Sequence, residues 1–130
     1  MRLSLDLVLL PGSYAVCRLD PDAALPAWTG KGDFTSITRT PRETSVVCPQ
    51  ARVPGGVPSQ RDFRVLRVQG TLDFSLTGVL DSMIGPLAAE AIAVFTISTY
   101  DTDYLLIRDD DLSRTVEILI RGGHNIILPE

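Results

Sequence analysis

The fold of this chain is decided by the stretch TLDFSLTGVLDSMIGPLAAEAI, residues 71–92, and by the patterns on either side of it. Apolar residues recur in it at spacings of three and four from Leu76 to Leu87, which is the stripe of an amphipathic helix. Pro86 lies inside the stripe and removes one backbone hydrogen bond of that helix. We therefore predict a helix here that begins near residues 74–78 and packs one face against a sheet.

Strand patterns flank this helix on both sides. FRVLRVQG (63–70) comes before it, and AVFTIST (93–99) and DYLLIR (103–108) follow it as the two strands of a hairpin. A second helical stripe covers residues 112–120, with Asp109 or Asp110 expected as its N-cap, and NIIL (125–128) is a last strand. Residues 63–130 thus follow the βαββαβ order of the ferredoxin-like fold, which predicts an α+β protein with both helices on one face of an antiparallel sheet.

Residues 1–62 carry strand patterns but little helix. The strands are predicted at residues 3–9, 14–19, 34–40 and 43–48, and the Pro- and Gly-rich segment 49–62 is the best linker candidate. We interpret residues 1–62 as a helix-poor copy of the same unit and predict two units, 1–62 and 63–130. Units this small should pack together or form a homodimer to bury their remaining apolar surface.

Composition excludes several classes of function. The 130 residues carry a net charge of −4 and scattered Arg, which argues against nucleic-acid binding. The apolar runs have the length of strands, so no membrane span is expected, and the N-terminus has the pattern of a strand and not of a signal peptide. Cys17 and Cys48 each end an apolar run, which favours buried free thiols in a reducing cytoplasm.

The polar stretch STYDTDY, residues 98–104, has more hydrogen-bonding groups than a turn requires and contains no Gly. One interpretation is that its hydroxyls and carboxylates contact a ligand. The other is that Asp103 bonds the backbone of its own turn and that the Tyr residues are ordinary edge-strand residues. The residues alone leave both interpretations open.

Three segments resemble a known family. PLAAEAIAVFTISTYDTDYLLIRDDDL (86–112) resembles the second unit of small tandem ACT-domain proteins, which are related to the Castor-type cytosolic arginine sensors. LPGSYAVCRL (10–19) and FTSITRTPRETSVVCP (34–49) are similar to the first unit of the bacterial members. The resemblance implies tandem ferredoxin-like ACT units that act as a regulatory module and bind an amino acid at an interface between paired units.

A free amino acid needs donors for its carboxylate, and the N–H groups at a helix N-terminus supply them. A Gly such as Gly78 lets a ligand approach the backbone closely. We predict that N–H groups at the helix start bind the carboxylate, that Asp103 binds the ammonium with help from Asp73 or Asp101, and that the hairpin lines the pocket. The predicted ligand-binding residues are Asp73, Leu76, Thr77, Gly78, Val79, Thr99, Tyr100 and Asp103. By the resemblance, Leu76 stands where the arginine sensors carry an acidic residue, which makes a small or aliphatic amino acid more compatible than arginine.

The main alternative is an assembly module that binds protein partners and no small molecule. Catalysis is not expected, because no motif surrounds Cys17, Cys48 or the single His124. No metal or other cofactor is expected either, since the ligand spacings of zinc and EF-hand calcium sites are absent.

Overall fold

The computed structural model describes residues 3–70 and 77–129. The strands that it describes are β1 (Asp6–Leu9), β2 (Tyr14–Leu19), β3 (Ser36–Arg39), β4 (Thr44–Pro49), β5 (Ser59–Val68), β6 (Val94–Ser98), β7 (Asp103–Arg108) and β8 (Asn125–Ile127). Its two α-helices in these ranges are α1 (Val79–Ala89) and α2 (Leu112–Arg121). The predicted βαββαβ order is confirmed, since β5, α1, β6, β7, α2 and β8 follow one another along the chain.

The chain divides into two compact units. The described parts of residues 1–11 and 64–130 form one, which we call the discontinuous unit, and residues 12–63 form the other, the inserted unit. The division falls within β5, one residue from the predicted boundary between residues 62 and 63. It differs from that prediction in assigning residues 1–11 to the C-terminal part, because β1 pairs with strands of that part.

The strand order in the discontinuous unit is β6-β7-β5-β1-β8. β1 is antiparallel to β5, with Leu7 opposite Val68, and parallel to β8, with Leu7 opposite Ile126. The expectation of a wholly antiparallel sheet is therefore wrong at this one pair. Because β1 lies between β5 and β8, these two strands do not pair with each other.

Both helices contribute to the core of the discontinuous unit. Val79, Met83 and Leu87 recur every four residues on α1 and are buried, and so are Ile118 and Leu119 on α2. They pack in one cluster with the inward side chains of β1, β5 and β7. The stripe that predicted α1 is thus the face that the structure buries. On α2 the stripe is only partly correct, because Ile120 at its end is 53% exposed while Thr115 and Ile118 are buried beside Leu119.

The inserted unit is a sheet in the order β3-β4-β2-β5 with a smaller apolar cluster. The segment 49–62, predicted as a linker, is only partly irregular. Gln50–Arg52 forms a short 3-10 helix, and residues 59–62 belong to β5, where Ser59 and Gln60 pair with β2. Except for Pro49, the last residue of β4, the Pro and Gly residues of the segment lie between these two elements, which explains why composition alone suggested a linker.

The predicted helix ends need two corrections. α1 begins at Val79, later than the 74–78 expected from the apolar stripe. Neither Asp109 nor Asp110 caps α2, because Asp109–Asp111 form a short 3-10 helix and no side-chain cap bond is present at either helix start. Asp109 instead pairs with Arg64 at 3.6 Å. The predicted end of α2 at Gly122–Gly123 is confirmed, with Gly123 at φ 100°.

Cys17 and Cys48 are free and buried in the apolar cluster of the inserted unit, as predicted. They lie on the paired strands β2 and β4, and their thiols hydrogen-bond each other. Burial raises the pKa of the Cys48 thiol to about 11, and the neighbouring Cys17 adds to the effect. Burial also raises the pKa of Cys17. Thiols held in the protonated form are poor nucleophiles and poor metal ligands.

We expect these thiols to make stability fall in alkali. Between pH 9, the ordinary value for Cys, and about 11, the unfolded chain loses the Cys48 proton while the folded chain keeps it, so the free energy of unfolding decreases as pH rises. The loss should be about 1–3 kcal/mol. Urea unfolding at pH 7.5, 9 and 10.5 measures it in the wild type and in Cys48→Ala. The variant should show a shallower decrease, and identical slopes in the two proteins would contradict the assignment.

Candidate functional site

The start of α1 is built around Gly78. This residue is the N-cap, its φ is 79° and its ψ is 2°, and no side chain of the described residues caps the helix there. A Cβ added at Gly78 would meet nothing within 4 Å, so the left-handed backbone, and not a lack of space, requires glycine. An N-terminus without a side-chain cap keeps backbone N–H groups available to an anion, and the helix dipole favours negative charge at this point.

A pocket of about 680 Å³ lies beside this helix start. Three parts of the discontinuous unit line it: the start of α1, the turn after α2, and Leu3 near the N-terminus. The contributors from α1 and the residues before it are Thr77, Gly78, Asp81, Ser82, Gly85 and Pro86. The turn after α2 contributes Gly122 and His124. Three of these lining residues are glycines, which have no side chain and therefore expose their backbone to the pocket.

His124 replaces a hydrogen bond of α1 that Pro86, far away in sequence, cannot make. A proline has no N–H, so the carbonyl of Ser82, four residues earlier, loses its helical partner. The imidazole Nε2 of His124 lies 3.1 Å from that carbonyl oxygen. The Ser82 hydroxyl in turn donates to the carbonyl of Val79 at 2.7 Å. The histidine therefore supplies the hydrogen bond that the proline removed.

The second ring nitrogen of His124 is also engaged. Nδ1 accepts a hydrogen bond from the backbone N–H of Leu5 at 3.1 Å, which leaves Nε2 to donate to Ser82. The side chain is only 3% exposed. A ring that accepts at one nitrogen and donates at the other is neutral, and it joins the N-terminal segment to α1. His124 thus forms a wall of the pocket and offers a ligand neither charge nor a free donor.

The hairpin between β6 and β7 bonds mainly to itself. The Ser98 hydroxyl donates to the carboxylate of Asp103, directly opposite on the paired strand. The Thr99 hydroxyl donates to the carbonyl of Thr102 at 3.1 Å, and the Thr102 N–H bonds back to it at 3.3 Å. Tyr100 is 81% exposed. Part of the hydrogen-bonding capacity of this stretch therefore stabilises the turn.

Thr102, which sequence reasoning did not single out, attaches the hairpin to the sheet. It is 7% exposed, and its hydroxyl donates to the carbonyl of Val68 at 2.8 Å. Val68 is the last residue of β5, the strand from which the chain proceeds toward α1. The hairpin is therefore bonded to the end of the strand that leads into the helix start.

The predicted site residues are only partly brought together. Thr77 and Gly78 line the pocket, and Val79 is the first residue of α1 with its side chain in the core. Thr99, Tyr100 and Asp103 lie in the hairpin and do not line this pocket. Asp73 and Leu76 lie outside the described residues.

Sequence reasoning missed Asp81, Gly85 and His124 as pocket residues. The first two are on the helix that was correctly predicted, but the amphipathic stripe draws attention to the opposite face. The proline four residues after Ser82 is a usable signal for His124, because it predicts a carbonyl in need of a donor.

Residues 3–70 and 77–129 contain neither a candidate membrane-spanning helix nor a candidate metal cluster. In that part of the chain no helix is long and apolar enough to cross a membrane. Over the same ranges, no group of three or more His, Cys, Asp or Glu side chains could hold a metal ion.

Two domain-family models match the chain. An ACT-domain model matches residues 58–121, and a model of an N-terminal domain family matches residues 12–56, which fall within the inserted unit. The cytosolic arginine sensor for mTORC1 subunit 1 of Bos taurus is 29% identical over 99 residues, or 68% of this chain and 30% of the sensor. The human protein of that name is 35% identical over 60 residues. The chain thus spans less than a third of the length of these curated relatives.

Solved structures agree with these matches. A crystal structure of an Agrobacterium tumefaciens protein is 39% identical, with a TM-score of 0.93 over 98% of this chain and 96% of that one. The aspartate kinase of Clostridium acetobutylicum, an allosteric enzyme, aligns with a TM-score of 0.67 at 10% identity over 90% of this chain and 34% of the kinase, which concerns the fold alone. The predicted resemblance and the ferredoxin-like fold class are confirmed, and residues 58–121 belong to the ACT-domain family.

Proposed function

We propose that this protein is a non-enzymatic, cytoplasmic regulatory module that binds a free amino acid at the start of α1. The observation that carries the proposal is the pocket of about 680 Å³ beside a helix N-terminus that begins at a left-handed glycine and is capped by no side chain of the described residues. Membership of the ACT-domain family and the similarity to an arginine sensor support a regulatory role that depends on a small ligand.

In this proposal the N–H groups of Leu76, Thr77, Gly78 and Val79 bind the ligand's carboxylate, and Asp73 assists Asp103 in binding its ammonium group. The hairpin residues Thr99, Tyr100 and Asp103 close over the ligand, and Asp103 faces its ammonium group. The bond from Thr102 to Val68 supports this arrangement, because it holds the hairpin at the end of the strand that leads to α1. Binding would favour one of two conformational or assembly states, which is how a ligand regulates without chemistry.

We expect at least one of the twenty standard L-amino acids to stabilise the purified protein in a thermal-unfolding screen. A ligand at a hundredfold excess over its Kd adds about 2.7 kcal/mol to the free energy of unfolding. In a domain of this size the shift in Tm should be several degrees. Asp103→Asn should then lower the affinity for the stabilising amino acid by about tenfold or more, because a charge-assisted hydrogen bond is lost.

Asp110→Asn is the matched control for this variant. It makes the same change of charge at an exposed residue before α2 that does not line the pocket, and it should leave the shift unchanged. An unchanged shift in Asp103→Asn would remove Asp103 from the site. No shift for any amino acid with the wild type would reject the amino-acid proposal.

The second candidate is an assembly module with no small-molecule ligand, and the exposed apolar surface of the hairpin favours it. β6 is at one end of the strand order of the discontinuous unit. Its Phe95 is 40% exposed, and Tyr100, in the turn that follows β6, is 81% exposed. An edge strand with exposed aromatic residues can pair with another chain, including a second copy of this one. Light scattering after size exclusion, with Phe95→Ser as the variant, separates this candidate from a ligand-binding monomer.

A further inference from the structure

The charges around the pocket are arranged as a dipole. The N-terminus of α1, at Thr77 and Gly78, is its positive end. Gly122, the C-cap of the ten-residue helix α2, lines the same pocket and brings the negative end of that helix to it. Asp81, in the first turn of α1, also lines the pocket, and so does Gly85, which follows one helical turn later.

Asp81 is placed to contact a ligand. It is exposed, and within the part of the chain that the structure describes it has no ion pair or side-chain hydrogen bond. Gly85, one helical turn later, makes room for it, since a Cβ there would lie 3.2 Å from Oδ1 of Asp81. The other carboxylate considered, Asp103, already accepts the hydroxyl of Ser98.

Among the described residues, no cationic side chain lines the pocket. The described lining residues include no Lys or Arg, and the imidazole of His124 is neutral with both nitrogens engaged. A ligand with a single carboxylate can place it at the start of α1. A second carboxylate would lie near Asp81 or the C-terminal end of α2 and would be repelled.

We infer that Asp81 is a specificity-determining residue that binds the ligand's ammonium group and makes the pocket select zwitterions over monoanions and dicarboxylates. This inference rests on the proposed function and adds a residue that the sequence did not indicate. In the bound state the carboxylate of the ligand lies at the N–H groups of α1, and its ammonium lies between Asp81, Asp103 and the end of α2. The site thus binds both charged groups of a monocarboxylic α-amino acid.

The test compares each amino acid that stabilises the wild type with the 2-hydroxy acid of the same side chain, for example L-leucine with L-2-hydroxy-4-methylpentanoate. Kd values come from calorimetric titration. The wild type should prefer the amino acid by about 10–100-fold, the range of a hydrogen-bonded charge. Asp81→Asn should reduce that preference to less than about fivefold while leaving the affinity for the hydroxy acid nearly unchanged. L-Aspartate and L-glutamate should give no shift in the wild type.

Two further variants separate a binding role from a structural one. Asp81→Glu keeps the charge and should retain most of the preference, whereas Asp110→Asn should retain all of it. If Asp81 only stabilises the first turn of α1, Asp81→Asn should lower Tm and reduce the affinity for both ligands equally. The ratio of the two Kd values would then stay unchanged. That result would overturn the inference and leave the proposed function standing. If no amino acid binds the wild type, the proposed function fails and the inference falls with it.

Discussion

Leu119→Ala should lower the free energy of unfolding by about 3–4 kcal/mol, the range for removing a fully buried leucine. Leu119 has no exposed surface and lies on α2 in the core of the discontinuous unit, where it packs in the same cluster as Met83 and Leu105. The loss combines the transfer free energy of the deleted methyl groups with the cost of the cavity that they leave. Since small domains are stable by only about 5–15 kcal/mol, the variant should be folded at 25 °C but clearly less stable.

The next residue on the same helix is the control for this prediction. Ile120 is 53% exposed, so Ile120→Ala removes a similar number of methyl groups from a position that water already reaches. Its effect should be less than about 1 kcal/mol. Urea unfolding followed by circular dichroism measures both variants. Equal effects at 119 and 120 would mean that α2 does not pack into the core through Leu119.

His124→Ala should lower the free energy of unfolding by about 2–4 kcal/mol, because it leaves two partly buried backbone groups without a partner and removes a buried ring. The N–H of Leu5 loses its acceptor, and the carbonyl of Ser82 loses the donor that replaced the missing N–H of Pro86. The neighbouring variant Asn125→Ala breaks only an exposed side-chain hydrogen bond to Asp6, and it should cost less than about 1 kcal/mol.

A double-mutant cycle tests the link between His124 and Pro86 directly. Pro86→Ala restores an N–H that can donate to the carbonyl of Ser82, so His124→Ala should cost about 1 kcal/mol less in that background than in the wild type. The Leu5 half of the loss remains in both backgrounds. If the cost of His124→Ala is the same with and without Pro86, the histidine does not compensate for the proline, and the Leu5 contact alone explains its effect.

Much of the fold follows from local patterns. Spacings of three and four placed α1 and α2, strand patterns placed β5 to β8, and the Gly122–Gly123 pair placed the end of α2. These predictions succeed because each depends on residues close in sequence, whose burial on one face sets their spacing. The start of α1 was placed too early because apolar residues before Gly78 continue the stripe, while the left-handed conformation of Gly78 sets where the helix begins.

The candidate site was less accessible to sequence reasoning. Gly78 and Thr77 could be found, since a glycine at a helix start is a local signal for close approach of a ligand. The hairpin Ser98–Tyr104 was recognised as polar, but whether its groups bond one another or a ligand depends on which side chains face each other across the turn. The structure pairs Ser98 with Asp103, and Thr102 with the end of β5, and neither contact has a sequence signature.

The sequence by itself determined the element order, the buried face of α1, the free state of both thiols and the glycine that begins α1. Only the tertiary structure decided that β1 lies between β5 and β8, that His124 bonds the carbonyl freed by Pro86, and that Asp81 and the end of α2 line one pocket. The physical reason is separation along the chain. His124 lies 42 residues from Ser82 and 119 from Leu5, and such contacts are fixed by the packing of whole elements.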